Sequence, residues 1–344
     1  MSERITVIQH GIGVVGKTVA RIMAKKAEVE IVGAVDIANV GKDLGEVAGL
    51  EKLGVTISDN LDAVLAQTKP KVMLDATFSH TKKVFPTFMK ALEAGVSVIT
   101  TGEELFNPWV NEPELARKLD DVAKKHGVAI KGTGLCPGFI LDVLPLTFTG
   151  VCGEVEKIKV DRCLDSSELA KSPAIRELDG YGLPKEMADK KLATGEITLH
   201  VGISEEIGAI ADCLGWKLTD IQIEKELLAT KVTRDYSPDY KIEPGQVHGY
   251  KYNGYGIKDG DTVIELKNTF IIGPSLERDG VEQHYTLWIE GNPPLQVNAP
   301  DLTLPQNALI ETAASAVNWV PHIIKAKPGL LTNAREFPLV ACLP

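Results

Sequence analysis

The run Gly11-Ile12-Gly13-Val14-Val15-Gly16 constrains this chain more than any other stretch. It follows an apolar run from Ile5 to Gln9 and precedes a segment in which Val15, Val19, Ile22 and Met23 fall at i, i+4, i+7 and i+8. That order predicts a strand, a tight turn and a helix. In such a turn the first glycine makes the tight backbone, the second lets a diphosphate reach the main chain, and the third lets helix pack closely on strand. The helix start then offers free N–H groups and the positive end of its dipole to phosphate. Asp36 stands twenty residues beyond Gly16, at the end of a second apolar run from Glu30 to Val35. A carboxylate there accepts the two hydroxyls of an adenine ribose. Gly11, Ile12, Gly13, Val14, Val15, Gly16 and Asp36 are therefore the expected dinucleotide site. A carboxylate at position 36 repels a 2′-phosphate and no arginine follows it through Gly41, so NAD is favoured over NADP, with Lys42 the one nearby cation able to meet a 2′-phosphate.

The alternation continues. Strands are expected at Val72 to Leu74, Val96 to Thr100 and Val128 to Lys131, with a helical stripe at Val84, Phe85, Phe88, Met89 and Leu92 between the first two. A further helix opens at Pro113 and stops at Gly127. Successive βαβ units of this kind build a parallel sheet. After about residue 150 the texture changes: Thr262 to Phe270 and His284 to Glu290 alternate apolar with polar residues, the mark of half-exposed antiparallel strands. Leu309 to Val320 reads as a last apolar helix ended by Pro321, and Asp235 to Gly245 as a long loop. The expected architecture is α/β: a Rossmann dinucleotide-binding domain over 1–140, completed by the C-terminal helix and tail at 305–344, and an α+β domain with a largely antiparallel sheet over 141–304.

At 344 residues the chain is long enough for two such domains, and its 37 Lys and Arg against 47 Asp and Glu leave a net charge of −10. That charge repels a phosphate backbone and argues against nucleic acid as a partner. The five cysteines show no C-x-x-C pair and no metal-type spacing with histidine, so no metal is expected and the thiols read as free. The N-terminus enters a strand pattern without the apolar core of a signal peptide, and no run reaches membrane-span length, which predicts a soluble cytoplasmic protein without membrane partners.

Ligands of open α/β sheets bind at the carboxyl ends of the strands. Asp75-Ala76-Thr77-Phe78-Ser79-His80 lies at one such end, where Thr77 and Ser79 are candidates for the nicotinamide ribose; Ser79 reads equally as a helix N-cap, Asp75 as a residue that fixes the loop, and His80 as a surface histidine. Thr101-Gly102-Glu103-Glu104-Leu105 lies at another. Successive side chains point apart there, so one of Glu103 and Glu104 faces the nicotinamide edge, where a carboxylate takes a proton from an amine or from attacking water and stabilises a cationic iminium. Both glutamates also read as ordinary helix-start residues. Gly132 to Phe139 is the expected crossover between domains, with Pro137 and Phe139 walling a small apolar pocket and Cys136 an alternative thiol nucleophile.

Taken in order, Thr101-Gly102-Glu103-Glu104-Leu105 with Pro108-Trp109, Gly132-Thr133-Gly134 with Pro137-Gly138-Phe139, His200-Val201-Gly202, Val317-Asn318 with Pro321, and Pro328-Gly329-Leu330 resemble 2,4-diaminopentanoate dehydrogenase and the native NAD(P)-dependent amine dehydrogenases, distant relatives of dihydrodipicolinate reductase. The resemblance implies reversible oxidative deamination of an amine, a homodimer, and a catalytic glutamate in the E-E-L segment, assigned here to Glu104 ahead of Glu103. It also implies cofactor contacts from Thr101, Gly102 and Asn318, and a substrate pocket including Cys136, Pro137, Phe139, Arg162 and His200. His200 has a second reading as a strand histidine satisfied by backbone. Cys136 stands where relatives often carry asparagine or an aromatic residue, and 166–182 departs from their pattern, so the resemblance implies an amine or diamino acid without fixing which. Two other functions compete: an imine reductase of the dihydrodipicolinate type, whose His-His and Lys-rich signature is not evident, and a non-catalytic NAD-binding sensor.

Overall fold

Short apolar runs become a seven-stranded parallel sheet in this computed structural model, which describes residues 4–237, 240–300, 302 and 307–343. β1 (Ile5–His10) passes through α1 (Val14–Met23) to β2 (Val29–Val35), then α2 (Leu44–Ala48), β3 (Ile57–Ser58) and α3 (Leu61–Thr68) lead to β4 (Val72–Asp75). α4 (Thr81–Glu93), β5 (Ser97–Thr100), a 3₁₀ turn over Glu103–Phe106, α5 (Pro113–His126) and β6 (Ala129–Gly132) follow. The order β3-β2-β1-β4-β5-β6 ends on a short strand, Gly329–Leu330, from the C-terminal segment. Strands are laid down outward from β1 to β3 on one side and from β4 to β6 on the other, so the strand order switches sense between β1 and β4, the position where such sheets bind dinucleotides.

Period-2 alternation explains the two covered faces. Val7, Val72, Leu74 and Ile99 share one face with Val19 and Met23 of α1 and with Ala313, Val317 and Trp319. Ile8, Met73, Val98 and Ile130 share the other with Phe88 and Leu92 of α4 and Leu119 of α5. Both faces are buried, so apolar residues run consecutively at Val7–Ile8, Val72–Leu74, Val98–Ile99 and Ala129–Ile130.

Contacts divide the chain into two units, Met1–Val143 with Leu309–Pro344, and Leu144–Ala308. The domain boundary expected at 304/305 lies outside the described residues. In the second unit α6 (Val143–Thr149), β7 (Glu154–Asp165), α7 (Pro173–Asp179), α8 (Lys185–Thr194) and α9 (Ile203–Leu214) precede β8 (Asp220–Ala229). β9 (Arg234–Ser237), β10 (Tyr240–Ile242), β11 (Val247–Lys258), β12 (Asp261–Ile271), α10 (Leu276–Asp279), β13 (His284–Asn292) and β14 (Leu295–Asn298) complete it. The six-stranded sheet runs β14-β13-β7-β12-β11-β8, antiparallel at every pair except β7 with β12. A Cβ at Gly254 or Gly256 would lie 2.7 or 2.9 Å from Ile207, so glycines in β11 let α9 pack against the sheet.

Three local expectations change. Asp235 to Gly245 is not one long loop: β9 and β10 pair as an antiparallel hairpin, anchored by Arg234, whose guanidinium pairs with buried Asp279. Pro321 does not end the last helix. α11 (Ala308–Asn318) stops earlier, and Pro321 sits in the first turn of α12 (Val320–Ile323), where its missing N–H costs no hydrogen bond. β15 (Gly329–Leu330) then joins β6. His200 lies in a bend before α9 rather than on a strand.

Candidate active site

The glycine turn has three distinct reasons for its three glycines. Gly11 has φ +80°, and a Cβ there would lie 2.7 Å from the Ala76 carbonyl oxygen. A Cβ on Gly16 would lie 2.0 Å from the Gly11 oxygen, so α1 meets β1 only without a side chain. At Gly13 a Cβ would meet nothing within 4 Å, which leaves that side of the turn open. The buried Gln9 amide donates to the Gly11 carbonyl at 2.9 Å and braces the turn from beneath.

These residues fit a dinucleotide diphosphate. Gly13 is the N-cap of α1, no side chain caps the helix, and no acidic residue stands in its first turn. The amides of Val14, Val15 and Gly16 thus begin a helix with no side-chain competitor for an anion. At the end of β2 the Asp36 carboxylate is oriented by the backbone N–H of Ile12 on one oxygen and that of Ala38, at 2.6 Å, on the other. Each oxygen retains a second lone pair for a ribose hydroxyl.

Asp75 is the hub of the adjacent strand ends. It is fully buried and accepts from Thr77 Oγ1 at 2.8 Å and Thr100 Oγ1 at 2.8 Å, while His10 Nδ1 lies 2.6 Å away. Its backbone carbonyl takes the Thr101 N–H at 3.0 Å, and Thr100 Oγ1 takes the Gly102 N–H at 2.9 Å. The reading of Asp75 as a loop-fixing residue understates this, for it joins the ends of β1, β4 and β5. His10 carried no sequence signal beyond its place at the end of β1.

Of the two adjacent glutamates, Glu104 is held by the loop that follows β4. Its Oε2 accepts the Thr81 backbone N–H at 2.7 Å and its Oε1 lies 2.7 Å from His80 Nδ1. Glu104 N–H also donates to the Ser79 carbonyl at 3.2 Å. Ser79 therefore does not cap the helix: α4 starts at Thr81 with His80 as N-cap residue, and the cap is the Glu104 carboxylate. His80 is a partner of Glu104 rather than a plain surface histidine. A Cβ at Gly102 would lie 2.7 Å from the Phe78 carbonyl oxygen, and one at Gly132 would lie 2.2 Å from the Leu105 carbonyl carbon. Glycines on both sides thus let the turn carrying Glu103 and Glu104 lie flat between neighbouring strand ends.

In the crossover, Ile140 N–H donates to the Leu135 carbonyl and Gly138 N–H to Asp142 at 2.7 Å, with Pro137 buried, Cys136 half-buried and Phe139 exposed. Thr133 Oγ1 meets Ser315 Oγ of α11 at 2.9 Å. Asn318 stands at the end of α11. Its Oδ1 accepts the Leu343 N–H at 3.0 Å, and the Leu343 carbonyl takes the Lys26 ammonium just past the far end of α1. Asn318 thus anchors the C-terminal tail. In the second unit Arg162 is buried on β7, while His200 packs 5.4 Å from Phe270, ring to ring. Among the described residues no cluster of His, Cys, Asp or Glu could hold a metal ion, and no helix is long and apolar enough to cross a membrane.

The chain matches two family models: the N-terminal domain of dihydrodipicolinate reductase over residues 5–131 and the C-terminal domain of 2,4-diaminopentanoate dehydrogenase over residues 139–343. It is 36% identical to 2,4-diaminopentanoate dehydrogenase of Acetoanaerobium sticklandii, across 96% of this chain and 92% of that protein. It is 24% identical to an amine dehydrogenase of Streptomyces virginiae, across 97% and 96%. The solved amine dehydrogenase of Mycobacterium smegmatis shares the fold, with a TM-score of 0.84 at 24% identity over 99% of this chain and 98% of that one. With a glycine turn fit for a dinucleotide and a relative this similar over nearly its whole length, the chain belongs to the 2,4-diaminopentanoate dehydrogenase family of NAD(P)-dependent oxidoreductases.

Proposed function

We propose that this protein catalyses the reversible oxidative deamination of an amine or diamino acid to a ketone and ammonia, with Glu104 as the proton-handling residue. The observation that carries the reading is the Glu104 carboxylate, fixed by the Thr81 N–H and His80 at the strand edge that also bears the glycine turn. NAD or NADP, when bound, supplies the hydride acceptor for the carbon that bears the amino group. The protein supplies charge and position. Gly11 to Gly16 and Asp36 hold the dinucleotide, and Thr77, Ser79, Thr101 and Gly102 line the strand ends toward the nicotinamide.

Loss of hydride from a neutral amine leaves an iminium cation, which the Glu104 anion stabilises. Water adds to the iminium carbon while Glu104 takes its proton, and the carboxyl returns that proton to nitrogen as the C–N bond breaks and ammonia leaves. The remaining hydroxyl proton passes to solvent, giving the ketone. His80, partly exposed beside Glu104 Oε1, connects the carboxylate to bulk water. Glu103 is the alternate carboxylate of the same turn, and Cys136, Pro137, Phe139, Arg162 and His200 are assigned to the substrate. The enzyme is inferred to be a cytoplasmic homodimer favouring NAD; five free thiols suit a reducing compartment.

The test follows reduced-nicotinamide absorbance with NAD or NADP against amines, diamino acids and alcohols, and with NADH or NADPH against cyclic imines. Turnover with amines alone supports the proposal. Turnover confined to alcohols or cyclic imines overturns it.

A further inference from the structure

A cavity of about 590 Å³ lies beside β15, the edge strand of the parallel sheet, and is lined wholly by the first unit. Strand order puts β15 four positions from β1, about 19 Å at the usual strand spacing, so the cavity is separate from the glycine turn. Its size is that of a small-molecule site. Leu330 and Leu331 give it an apolar part, together with Trp319 at the start of α12 and Phe337 just past the 3₁₀ turn over Ala334–Glu336. The aromatic wall is built before any ligand arrives. Trp319 meets Phe337 edge to face at 5.3 Å and 86°, and meets His322 at 6.0 Å. Lys131 of β6, 1% exposed, places its ammonium 4.1 Å from the centre of the Phe337 ring and 4.4 Å from that of Phe106. A buried cation over aromatic faces is a strong contact, so the sheet itself holds the wall and binding need not order it.

Charge at the rim selects the sign of an occupant. Lys325 and Lys327 border the cavity, both are exposed, and neither makes an ion pair among the described residues. Glu336 is the one carboxylate of the lining. In a chain of net charge −10 this local excess of cations runs against the whole, so the cavity draws an anion and repels an amine or ammonium. Burial, with the Lys325 ammonium adding to it, holds the His322 imidazole below the usual histidine range, so at pH 7 that ring enters as a neutral flat surface.

We propose that this cavity is a second ligand site, distinct from the dinucleotide turn, and that it takes a small aromatic carboxylate. The ring of the ligand lies against Trp319, Phe337 and the two leucines, where it removes apolar surface from water on both sides of the contact. Its carboxylate stays at the mouth beside Lys325 and Lys327, where it keeps part of its hydration and avoids the cost of burial. Neither half suffices alone: an inorganic anion gains only an exposed, screened attraction, and a neutral ring gains nothing from the lysines. The site stands whether or not the protein oxidises amines.

The experiment measures calorimetric binding of 2-naphthoate and of 2-naphthalenemethanol, the same ring without the charge, to the NADH-loaded protein, and follows the His322 ring signals by NMR. The wild type is expected to bind one 2-naphthoate per chain about 10-fold or more tighter than the alcohol, with the affinity falling as salt is raised and the His322 signals shifting. The double variant Lys325→Glu, Lys327→Glu changes only exposed positions. It is expected to keep the wild-type melting temperature and NADH Kd, to bind 2-naphthoate about 10-fold or more weaker, and to leave the alcohol unchanged. Absence of saturable binding to the wild type, an acid bound no tighter than the alcohol, an affinity untouched by the charge reversal, or binding that leaves the His322 signals in place overturns the assignment.

Discussion

Glu104 Oε2 accepts the backbone N–H of Thr81 at 2.7 Å, so a residue at the end of β5 caps the helix that begins after β4. The bond fixes one carboxylate oxygen and leaves the other 2.7 Å from His80 Nδ1. A carboxylate at a helix N-terminus is favoured by the dipole, and here the same contact orients a candidate catalytic group. His80→Leu removes the lateral partner. Its kcat is expected to fall by about 10- to 100-fold with KM and the NADH Kd little changed, and His80→Asn, whose amide nitrogen replaces Nδ1, to recover part of the loss. Steady-state kinetics beside cofactor titration check this.

Gly13 and Gly16 separate binding from folding. A Cβ at Gly16 would clash with the Gly11 oxygen at 2.0 Å, so Gly16→Ala is expected to cost about 3 kcal/mol of stability along with dinucleotide affinity. Gly13→Ala has open space and a φ of −75° that alanine adopts freely. It is expected to melt like the wild type while its NADH Kd rises about 10-fold, because the added methyl stands where the diphosphate approaches. Denaturant melts and fluorescence titration distinguish the two.

Asp36 is the lever on cofactor choice. Its oxygens are oriented by the backbone of Ile12 and Ala38, and in the proposed site they present negative charge to the adenine ribose. Replacing it with serine is expected to raise the NADP-to-NAD ratio of kcat/KM by about 10-fold or more, since the repulsive element against a 2′-phosphate is removed. Parallel kinetics with both cofactors read the ratio directly.

The second unit carries a pH signature of its own. Burial, with the Arg234 guanidinium adding to it, holds the His248 imidazole below the usual histidine range despite Asp279 at 3.3 Å. The unfolded chain therefore binds this proton more readily, and stability falls as pH drops below about 6.5, by at most about 1.4 kcal/mol per pH unit. His284 has the opposite sign: its hydrogen bond to Asp161 raises it, so its contribution is present below about 6.5 and is lost as pH rises through the higher folded value. His248→Gln should flatten the acid side of a Tm profile between pH 5 and 7, and His284→Gln the alkaline side above pH 7.

What was legible in the sequence was local. The glycine turn, the stripe from Val15 to Met23 and the helix from Pro113 to Gly127 are written in near-neighbour spacing and appear in place. The glutamate pair at the end of β5 was legible as a carboxylate at a strand edge, but its bonds to His80 and Thr81 were not, because they arise where two loops meet after the sheet has ordered β4 beside β5. The Asp75 hub joins His10 across 65 positions for the same reason. The hairpin at Arg234 was missed because its strands are polar and short, with Arg234 bonded to Asp279 in another segment.

Glu104→Gln, measured for amine oxidation and for NADH binding in the same preparation, tests the central claim most directly. The amide oxygen still accepts the Thr81 N–H, so the fold and the cofactor site stay in place while the charge and the proton acceptor are lost. The expected result is an NADH Kd within about two-fold of wild type and a kcat lower by about 1,000-fold. Normal turnover in a variant that binds NADH would contradict the account.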